Sequence, residues 1–326
     1  MPTVNSKMTA IANEIRELSG SNEKMGLDAM ANILNTENIN LTTETSTYTN
    51  ELAELQTKIT ALEDALEGKA GGSSGSGNNT DFENAIIAGE LTTYKNDRVK
   101  NIGDYVFYYY SSLTSINFPV CTSIGQSAFY SCSSLTSISF PKCTSIGDYA
   151  FRNCYKLASI SFPKCTSIGG YAFYTCKSLT SVIFPECTSI GGYAFYTCYN
   201  LTSVNFPECT SIGNGAFKYC SSLTSVNFPK CTSIGQDAFC GCPNLISLNF
   251  PKCTSIGDDA FNECTSLASI YLLASTVCSL ENSNAFFRAG ITSTTGSIFV
   301  PTSLVTSYKS TTNWTYFSNR IFAYEE

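Results

Sequence analysis

The sequence predicts a mainly β solenoid of eight stacked 22-residue rungs, each with short strands and a 3₁₀ or helical turn, preceded by an α-helical, coiled-coil segment. One cysteine ladder advances by 22 residues per step: Cys121, Cys143, Cys165, Cys187, Cys209, Cys231 and Cys253. A second ladder has the same step and lies 11 residues further on: Cys132, Cys154, Cys176, Cys198, Cys220, Cys242 and Cys264. Isoleucine repeats in the same way from Ile124 to Ile256. A constant period of this length is typical of solenoids, in which each unit buries its apolar face only against its neighbours.

Residues 1–67 are predicted to be helical and to serve attachment or oligomerisation. A heptad series places one apolar residue in every seven: Leu27, Leu34, Leu41, Tyr48, Leu55 and Leu62. The apolar seam is continuous only over residues 48–66, where a short coiled coil would join copies of the chain into a homo-oligomer. The alternative is a solvated amphipathic helix that lies on another module.

The domain boundaries follow from composition and register. Residues 68–79 read GKAGGSSGSGNN and are predicted to form a flexible linker without apolar content. Residues 80–98 occupy the place of an N-terminal cap, and residues 99–274 keep the repeat in register. The register fails beyond Ser275, so residues 275–326 are expected to close the stack as a C-terminal cap.

One rung illustrates how the repeat is expected to fold. Leu135, Ile138 and Phe140 have a strand pattern, which Pro141 ends because proline lacks the ladder donor. Residues 143–147 form a second short extended piece. Residues 150–154 have the spacing of a single helical or 3₁₀ turn.

The sixteen cysteines are expected to be buried thiols that fill the core. Disulfides between neighbouring rungs are the alternative, because rungs stack about 5 Å apart. A metal site is the least favoured interpretation, because no CxxC pair occurs. No cofactor is expected.

Composition argues against several classes of function. The net charge of −7 offers no basic surface for nucleic acid, and no apolar run is long enough for membrane insertion. The absence of histidine removes Ser-His-Asp and Cys-His catalysis, and no other catalytic constellation is recognisable, so we do not expect an enzyme. The first 20 residues lack the features of a secretory signal, which predicts folding in a reducing cytoplasm.

The repeat unit CTSIGxxAFxxCxxLTSIxFPx resembles the BspA-like leucine-rich repeat family over residues 99–274. Residues 297–321 resemble the cap that often ends such arrays. This resemblance implies a right-handed leucine-rich repeat solenoid used for attachment and recognition, with no catalytic residues. The chain departs from the family pattern by placing cysteine where many members have valine or another small apolar residue.

A second resemblance concerns the N-terminal residues MTAIANEIRELSGSNEKMGLDAMANIL, at positions 8–34. They resemble a short module of tail and baseplate proteins from phages and prophages of Gram-positive gut bacteria. The resemblance implies that the N-terminal segment binds other virion or tail proteins. It also implies that the protein, once folded in the cytoplasm, is located in the virion.

A binding surface is predicted where the repeats vary most, on both sides of the conserved Ala-Phe pair. Two columns there are rich in tyrosine: Tyr105, Tyr108, Tyr130, Tyr149, Tyr171, Tyr174, Tyr193 and Tyr196. These residues form a recognition stripe, because tyrosine offers rigid contact area and a hydroxyl at low entropic cost. Equally, they shield the edge of the stack by packing on one another. A polar strand face that contains Ser137 and Asn205 is attributed to solubility, and the charges from Lys142 to Lys252 to a solvated edge.

Three functions are compatible with these features. The first is a phage tail or baseplate protein whose solenoid contacts a protein or glycan of the host cell surface. The second is a bacterial cell-surface adhesin of the BspA-like family. The third is an intracellular scaffold that binds another protein.

Overall fold

A computed structural model describes residues 92–95, 99–292 and 296–325. The helical segment 1–67, its heptads at 48–66, the stretch 8–34 and the linker 68–79 lie outside the described residues. Most of the expected N-terminal cap does as well. The fold described below is therefore that of the repeat region and its C-terminal end.

The described strands are all parallel and form two series that run along the stack. The first series comprises β1 (Thr93–Lys95), β3 (Ser115–Asn117), β5 (Ser137–Ser139), β7 (Ser159–Ser161), β9 (Ser181–Ile183), β11 (Ser203–Asn205), β13 (Ser225–Asn227), β15 (Ser247–Asn249), β17 (Ser269–Tyr271), β19 (Ser297–Pro301) and β20 (Ile321–Tyr324). The second series forms one nine-stranded sheet from β2 (Asn101–Ile102), β4 (Ser123–Ile124), β6 (Ser145–Ile146), β8 (Ser167–Ile168), β10 (Ser189–Ile190), β12 (Ser211–Ile212), β14 (Ser233–Ile234), β16 (Ser255–Ile256) and β18 (Ser279–Leu280). The predicted β solenoid is confirmed.

Strand pairing follows the sequence period directly. Ile124 pairs with Ile146 and Ile116 with Ile138, so each residue meets its counterpart 22 positions on. This register places identical side chains above one another. Buried phenylalanine rings consequently stack, for instance Phe151 on Phe173 with ring centroids 5.3 Å apart and planes 3° apart.

The stack extends beyond the eight predicted rungs at both ends. Strand β1 pairs with β3 at the 22-residue step, within the stretch expected to be the N-terminal cap. At the other end the step lengthens to 24 residues between Ile256 and Leu280 and to 28 between Ile270 and Ile298. The extra residues include two 3₁₀ helices, at Ser283–Phe286 and Gly290–Thr292, and the strands still pair.

The C-terminal end is closed by β19, a 3₁₀ helix at Thr302–Leu304, helix α1 (Val305–Ser310), a 3₁₀ helix at Trp314–Arg320 and β20. Tyr308 and Trp314 are fully buried there. The Cys278 amide donates to the Tyr308 hydroxyl oxygen at 2.9 Å, and Trp314 Nε1 donates to the Cys278 carbonyl at 2.7 Å. Both backbone groups of Cys278 are thus satisfied by side chains at the point where the second strand series ends with β18.

The sequence led us to expect a helical or 3₁₀ turn at residues 150–154, but the structure has consecutive tight turns there. The Tyr149 and Asn153 amides donate to carbonyls of the next rung, and so does the amide of Phe151 between them. A helix would use these donors within its own rung. Instead, the backbone alternates between positive and negative φ angles, so that these amides point along the stack. Tyr149 and Asn153 accordingly have φ angles of 59° and 63°.

All sixteen cysteines are buried free thiols, which confirms their predicted place in the core. The first ladder donates to a carbonyl two residues on, as Cys121 Sγ does to Ser123 at 3.2 Å. The second ladder donates to a phenylalanine carbonyl of the preceding rung, as Cys132 Sγ does to Phe107 at 3.1 Å. Cysteine therefore adds a weak hydrogen bond that valine or alanine at the same place could not make.

Candidate functional site

The predicted tyrosines lie on the arc of tight turns that surrounds the Ala-Phe pair. The residue two before each phenylalanine has a φ between 52° and 60° in every rung: Tyr105, Ser127, Tyr149, Tyr171, Tyr193, Gly215, Asp237 and Asp259. A left-handed conformation is uncommon for residues other than glycine, and it costs about 1–2 kcal/mol per residue. In seven of these eight rungs the amide of this residue donates to a carbonyl of the next rung, as from Tyr171 to Gly192 at 2.8 Å, and these hydrogen bonds offset that cost.

Stacked rings bring the predicted tyrosines into contact from rung to rung. Tyr149, Tyr171 and Tyr193 form one stack, with 4.9 Å between successive ring centroids. Tyr174 and Tyr196 form a second stack at 4.6 Å, and it touches the first because Tyr171 and Tyr174 are 5.6 Å apart. These five tyrosines are therefore one continuous cluster.

A second cluster lies toward the N-terminal end of the repeat region. Tyr108 stacks on Tyr130 at 4.9 Å, and Tyr105 meets Tyr108 edge-on at 5.5 Å. Tyr109, which the sequence analysis left out, packs edge-on against Tyr108 at 4.5 Å and is 60% exposed. In the sequence, Tyr109 directly follows Tyr108 of the column, within the run Tyr108-Tyr109-Tyr110, and this adjacency could have identified it.

Arg152 joins the two clusters. It occupies the tyrosine column between Tyr130 and Tyr174, and its guanidinium carbon lies 5.6 Å and 4.5 Å from the centres of those rings. It is also 5.6 Å from the Tyr149 ring and 5.9 Å from the Tyr171 ring. We call the eight predicted tyrosines together with Arg152 the tyrosine face.

The rings of the tyrosine face are covered by one another, whereas their hydroxyls are open. Tyr105 and Tyr108 are 50% and 37% exposed, and the other six tyrosines are half-buried. Among the described residues, none forms a hydrogen bond with the hydroxyls of Tyr149, Tyr171, Tyr174, Tyr193 or Tyr196, and none of these hydroxyls is buried. Desolvation and the neighbouring tyrosines raise the pKa of Tyr171 and of Tyr196 above its ordinary value. The raised pKa keeps the hydroxyls of Tyr171 and Tyr196 protonated, and a protonated hydroxyl can both donate and accept a hydrogen bond.

The tyrosine face ends where the columns change composition. Gly215 and Lys218 replace tyrosine in the rung after Tyr193 and Tyr196. Lys218 Nζ lies 2.9 Å from Asp237 Oδ1, and both side chains are mostly buried. The tyrosine face is thus bounded, on its C-terminal side, by a mostly buried ion pair.

The other two surfaces considered from the sequence have ordinary structural explanations. Along the strand face, polar side chains bond between rungs, as Asn227 Nδ2 does to Asn205 Oδ1 at 2.8 Å. On the charged edge, Lys164 pairs with Glu186 at 2.5 Å and Lys230 with Glu208 at 2.6 Å. These exposed pairs contribute about 0–1 kcal/mol each, as solvated ion pairs do.

Within the described ranges, no group of cysteine, aspartate and glutamate side chains is arranged to hold a metal ion. None of the helices formed by these residues has the length and apolar character needed to span a membrane. The tyrosine face combines a tyrosine-rich composition with a left-handed backbone in one of its two columns, and it is therefore the candidate functional site.

Parallel strands on a repeating 22-residue coil, with buried leucine, isoleucine and phenylalanine columns, define a leucine-rich repeat protein. A family described as a BspA type leucine rich repeat region, in six copies, matches residues 100–210 and 188–325. The chain belongs to this BspA-type leucine-rich repeat family, which confirms the resemblance of its repeat unit. Membership supports a binding or adhesion role carried by the repeats. A comparison with curated proteins gave no match.

Several solved structures are similar to the chain. A leucine-rich cell surface protein from Faecalibacterium prausnitzii is 24% identical over 64% of this chain and 78% of its own, with a TM-score of 0.32. A leucine-rich repeat protein from T. pallidum is 29% identical over 52% of this chain and 72% of its own, with a TM-score of 0.39. A leucine-rich repeat protein from Bacteroides ovatus is 21% identical over 73% and 85% of the two chains, with a TM-score of 0.38.

Proposed function

We propose that this protein is a non-enzymatic recognition and adhesion protein that binds a protein or glycan of a host cell surface through the tyrosine face. The observation that carries the proposal is the continuity of that face. Eight tyrosines and Arg152 touch one another across five successive rungs, and the hydroxyls of the five tyrosines from Tyr149 to Tyr196 have no partner among the described residues.

The stacking of the tyrosines suits them to binding. A free tyrosine side chain loses rotamer freedom when a ligand immobilises it, and this loss weakens association. Tyr171 is already held between Tyr149 and Tyr193, so its ordering is complete before a ligand arrives. The packing interpretation and the recognition interpretation are therefore complementary, since the packing preorganises the surface that binds.

The finer proposal is that the protein belongs to a phage or prophage tail or baseplate. It rests on the resemblance of residues 8–34 to a tail-protein module and on the heptads at 48–66, which would join copies of the chain. In this arrangement the N-terminal segment binds other tail proteins, and the repeats reach the host surface. A bacterial cell-surface adhesin is the alternative, and membership of the BspA-type family agrees with it. An intracellular protein-binding scaffold is the third candidate.

Binding of the labelled full-length chain to intact gut bacteria tests the recognition role. The double variant Tyr171→Phe/Tyr193→Phe removes two hydroxyls and keeps both rings, and we expect it to bind cells several-fold more weakly. The matched control is Ser159→Ala/Ser181→Ala on the exposed strand face, which we expect to bind as the unaltered chain does. Equal binding by all three would exclude the tyrosine face as the recognition surface.

Localisation separates the three candidates. Antibodies against the repeat region should label purified virions from an induced culture of the source bacterium if the protein is a tail component. Labelling of intact cells without virions would support the adhesin. Labelling confined to lysed, virion-free cells would support the scaffold and contradict the adhesion role.

A further inference from the structure

We propose that Arg152 is an anion-binding centre within the tyrosine face, and that the ligand of this face is an acidic polysaccharide. The inference rests on the proposed recognition function and specifies its ligand class. Three observations carry it: the position of Arg152 in the tyrosine column, its lack of a polar partner, and the spacing of the tyrosine rings beside it.

The first observation is that Arg152 interrupts the run of tyrosines from Tyr108 to Tyr196 in its column. Its neighbours in this column are Tyr130 and Tyr174, one rung before and one rung after. The guanidinium lies over the rings, at 4.5 Å from the Tyr174 centroid, where the negative ring face attracts a cation. Because the ring contacts the flat face of the guanidinium, the N–H groups at the guanidinium edge can still form hydrogen bonds in its plane.

The second observation is that the charge of Arg152 is not neutralised within the described part of the chain. No aspartate or glutamate of those residues forms an ion pair with it. Its Nε atom is buried and has no hydrogen-bond partner there. The other guanidinium nitrogens also have no partner among these residues and are not buried, so a carboxylate or sulfate from outside the chain can accept hydrogen bonds from them.

The third observation concerns spacing, which distinguishes a sugar chain from a peptide. Tyrosine rings recur every 4.6–4.9 Å along the stack beside Arg152. Side chains on one face of an extended peptide recur about every 6.6 Å, because each residue advances about 3.3 Å. The tyrosine spacing therefore does not match that of an extended peptide, whereas a polysaccharide consists of sugar units rich in hydroxyls. Each unit presents hydroxyls that can both donate to and accept from the tyrosine hydroxyls.

The test uses the full-length chain and paired probes that differ only in charge. One pair is oligogalacturonate and its fully methyl-esterified form, which compares a carboxylate with a neutral ester. The other pair is dextran sulfate and dextran, which compares a sulfate with a hydroxyl. We expect at least a tenfold preference for the charged member of one pair, and this pair identifies the anionic group. The preference should weaken as salt is raised.

Two variants of Arg152 and one control test whether Arg152 causes the preference for the charged probe. Arg152→Tyr completes the tyrosine column and should preserve the thermal unfolding midpoint while abolishing the preference for charge. Arg152→Gln serves the same purpose should the tyrosine variant fail to fold. Lys164→Gln removes a cation from the charged edge, paired there with Glu186, and should leave the preference unchanged.

The outcomes separate the inference from the proposed function. Should the unaltered chain bind cells but show no preference within either pair, Arg152 is not an anion-binding centre, although the recognition role stands. A charge preference that Arg152→Tyr and Arg152→Gln both retain would also overturn the inference. Should the chain bind neither cells nor any probe, the proposed function fails together with it. Loss of the preference in a folded Arg152 variant would support both.

Discussion

The ring of Tyr193 covers Gly215 of the next rung so closely that a Cβ added to this glycine would lie 2.5 Å from ring carbon Cε1. In the three preceding rungs this position holds Tyr149, Tyr171 and Tyr193, and their rings stack at 4.9 Å instead. Because Gly215 has no side chain, the ring of Tyr193, the last in the column, packs directly on the Gly215 backbone. The tyrosine stack ends at this contact.

Replacing Gly215 with alanine should lower the free energy of unfolding by about 2 kcal/mol. Its φ of +60° is unfavourable for an L residue by about 1–2 kcal/mol, and the new methyl group displaces the Tyr193 ring. In a Tyr193→Ala background only the backbone effect remains, so the two substitutions should couple in a double-mutant cycle measured by urea unfolding. Gly170→Ala is the control, because the nearest atom to its added Cβ lies at 3.4 Å. Additive effects would contradict the proposed contact.

The sequence predicted the columns because the register of a parallel ladder keeps a period of 22 residues. It therefore brought Tyr149, Tyr171 and Tyr193 together correctly. It did not predict their left-handed backbone, because tyrosine rarely adopts that conformation and only occasional residues of the columns, such as Gly215 and Asn153, indicated it. The conformation is imposed by hydrogen bonds between rungs, which no single repeat reveals.

The role of Arg152 could not be deduced from its column alone. Its four aromatic neighbours come from three successive rungs and from both tyrosine columns. Only the three-dimensional arrangement brings them around one guanidinium. At the C-terminal end the sequence register fails, yet pairing continues through Leu280 and Ile298 because loops accommodate the additional residues without disturbing the ladder.

The double variant Tyr171→Phe/Tyr193→Phe should separate binding from stability. Both hydroxyls lack hydrogen-bond partners among the described residues, so their removal should change the free energy of unfolding by less than about 0.5 kcal/mol. Tyr171→Ala, in contrast, opens the stack and should cost more than 1 kcal/mol, since stacked aromatic pairs contribute about 0.5–1.5 kcal/mol each beyond their buried area. Thermal and urea unfolding of the three proteins measures the difference. A large destabilisation by the phenylalanine variant would show that the hydroxyls are structural.

Replacing Thr197 with glycine should stabilise the protein by about 1 kcal/mol. Thr197 is buried at a φ of 55°, and its hydroxyl has no hydrogen-bond partner among the described residues. An unsatisfied buried hydroxyl costs about 1–3 kcal/mol, and glycine removes both that cost and the backbone strain. The greater freedom of glycine in the unfolded chain offsets about 0.5–1 kcal/mol.

Thr175→Gly is the matched control for that substitution. Thr175 lies one rung earlier in the same column, at a φ of 56°, but its hydroxyl donates to Asn153 Oδ1. Glycine there relieves the same strain and loses a satisfied hydrogen bond, so the gain in the urea midpoint should be clearly smaller. Equal gains at the two positions would show that the unpaired hydroxyl contributes nothing.

Alkaline pH should unfold the protein cooperatively through its buried thiols. Burial raises the pKa of Cys121 from 9.0 to about 11, and that of Cys165 and Cys209 to about 12. Above pH 9 the unfolded chain releases these protons while the folded chain keeps them, so the free energy of unfolding falls as pH rises. The stability that each thiol contributes is complete below pH 9 and is lost progressively as pH rises to 11–12. Each thiol accounts for up to about 1.4 kcal/mol per pH unit.

The triple variant Cys121→Ala/Cys165→Ala/Cys209→Ala isolates this effect from the titration of lysine and tyrosine, which both proteins share. The variant should be less stable than the unaltered chain at pH 8, because three buried side chains become smaller. Its urea midpoint should nevertheless fall less steeply between pH 9 and pH 10.5, since three titrating groups are missing. Parallel pH profiles for the two proteins would mean that the thiols of this ladder do not control the alkaline transition.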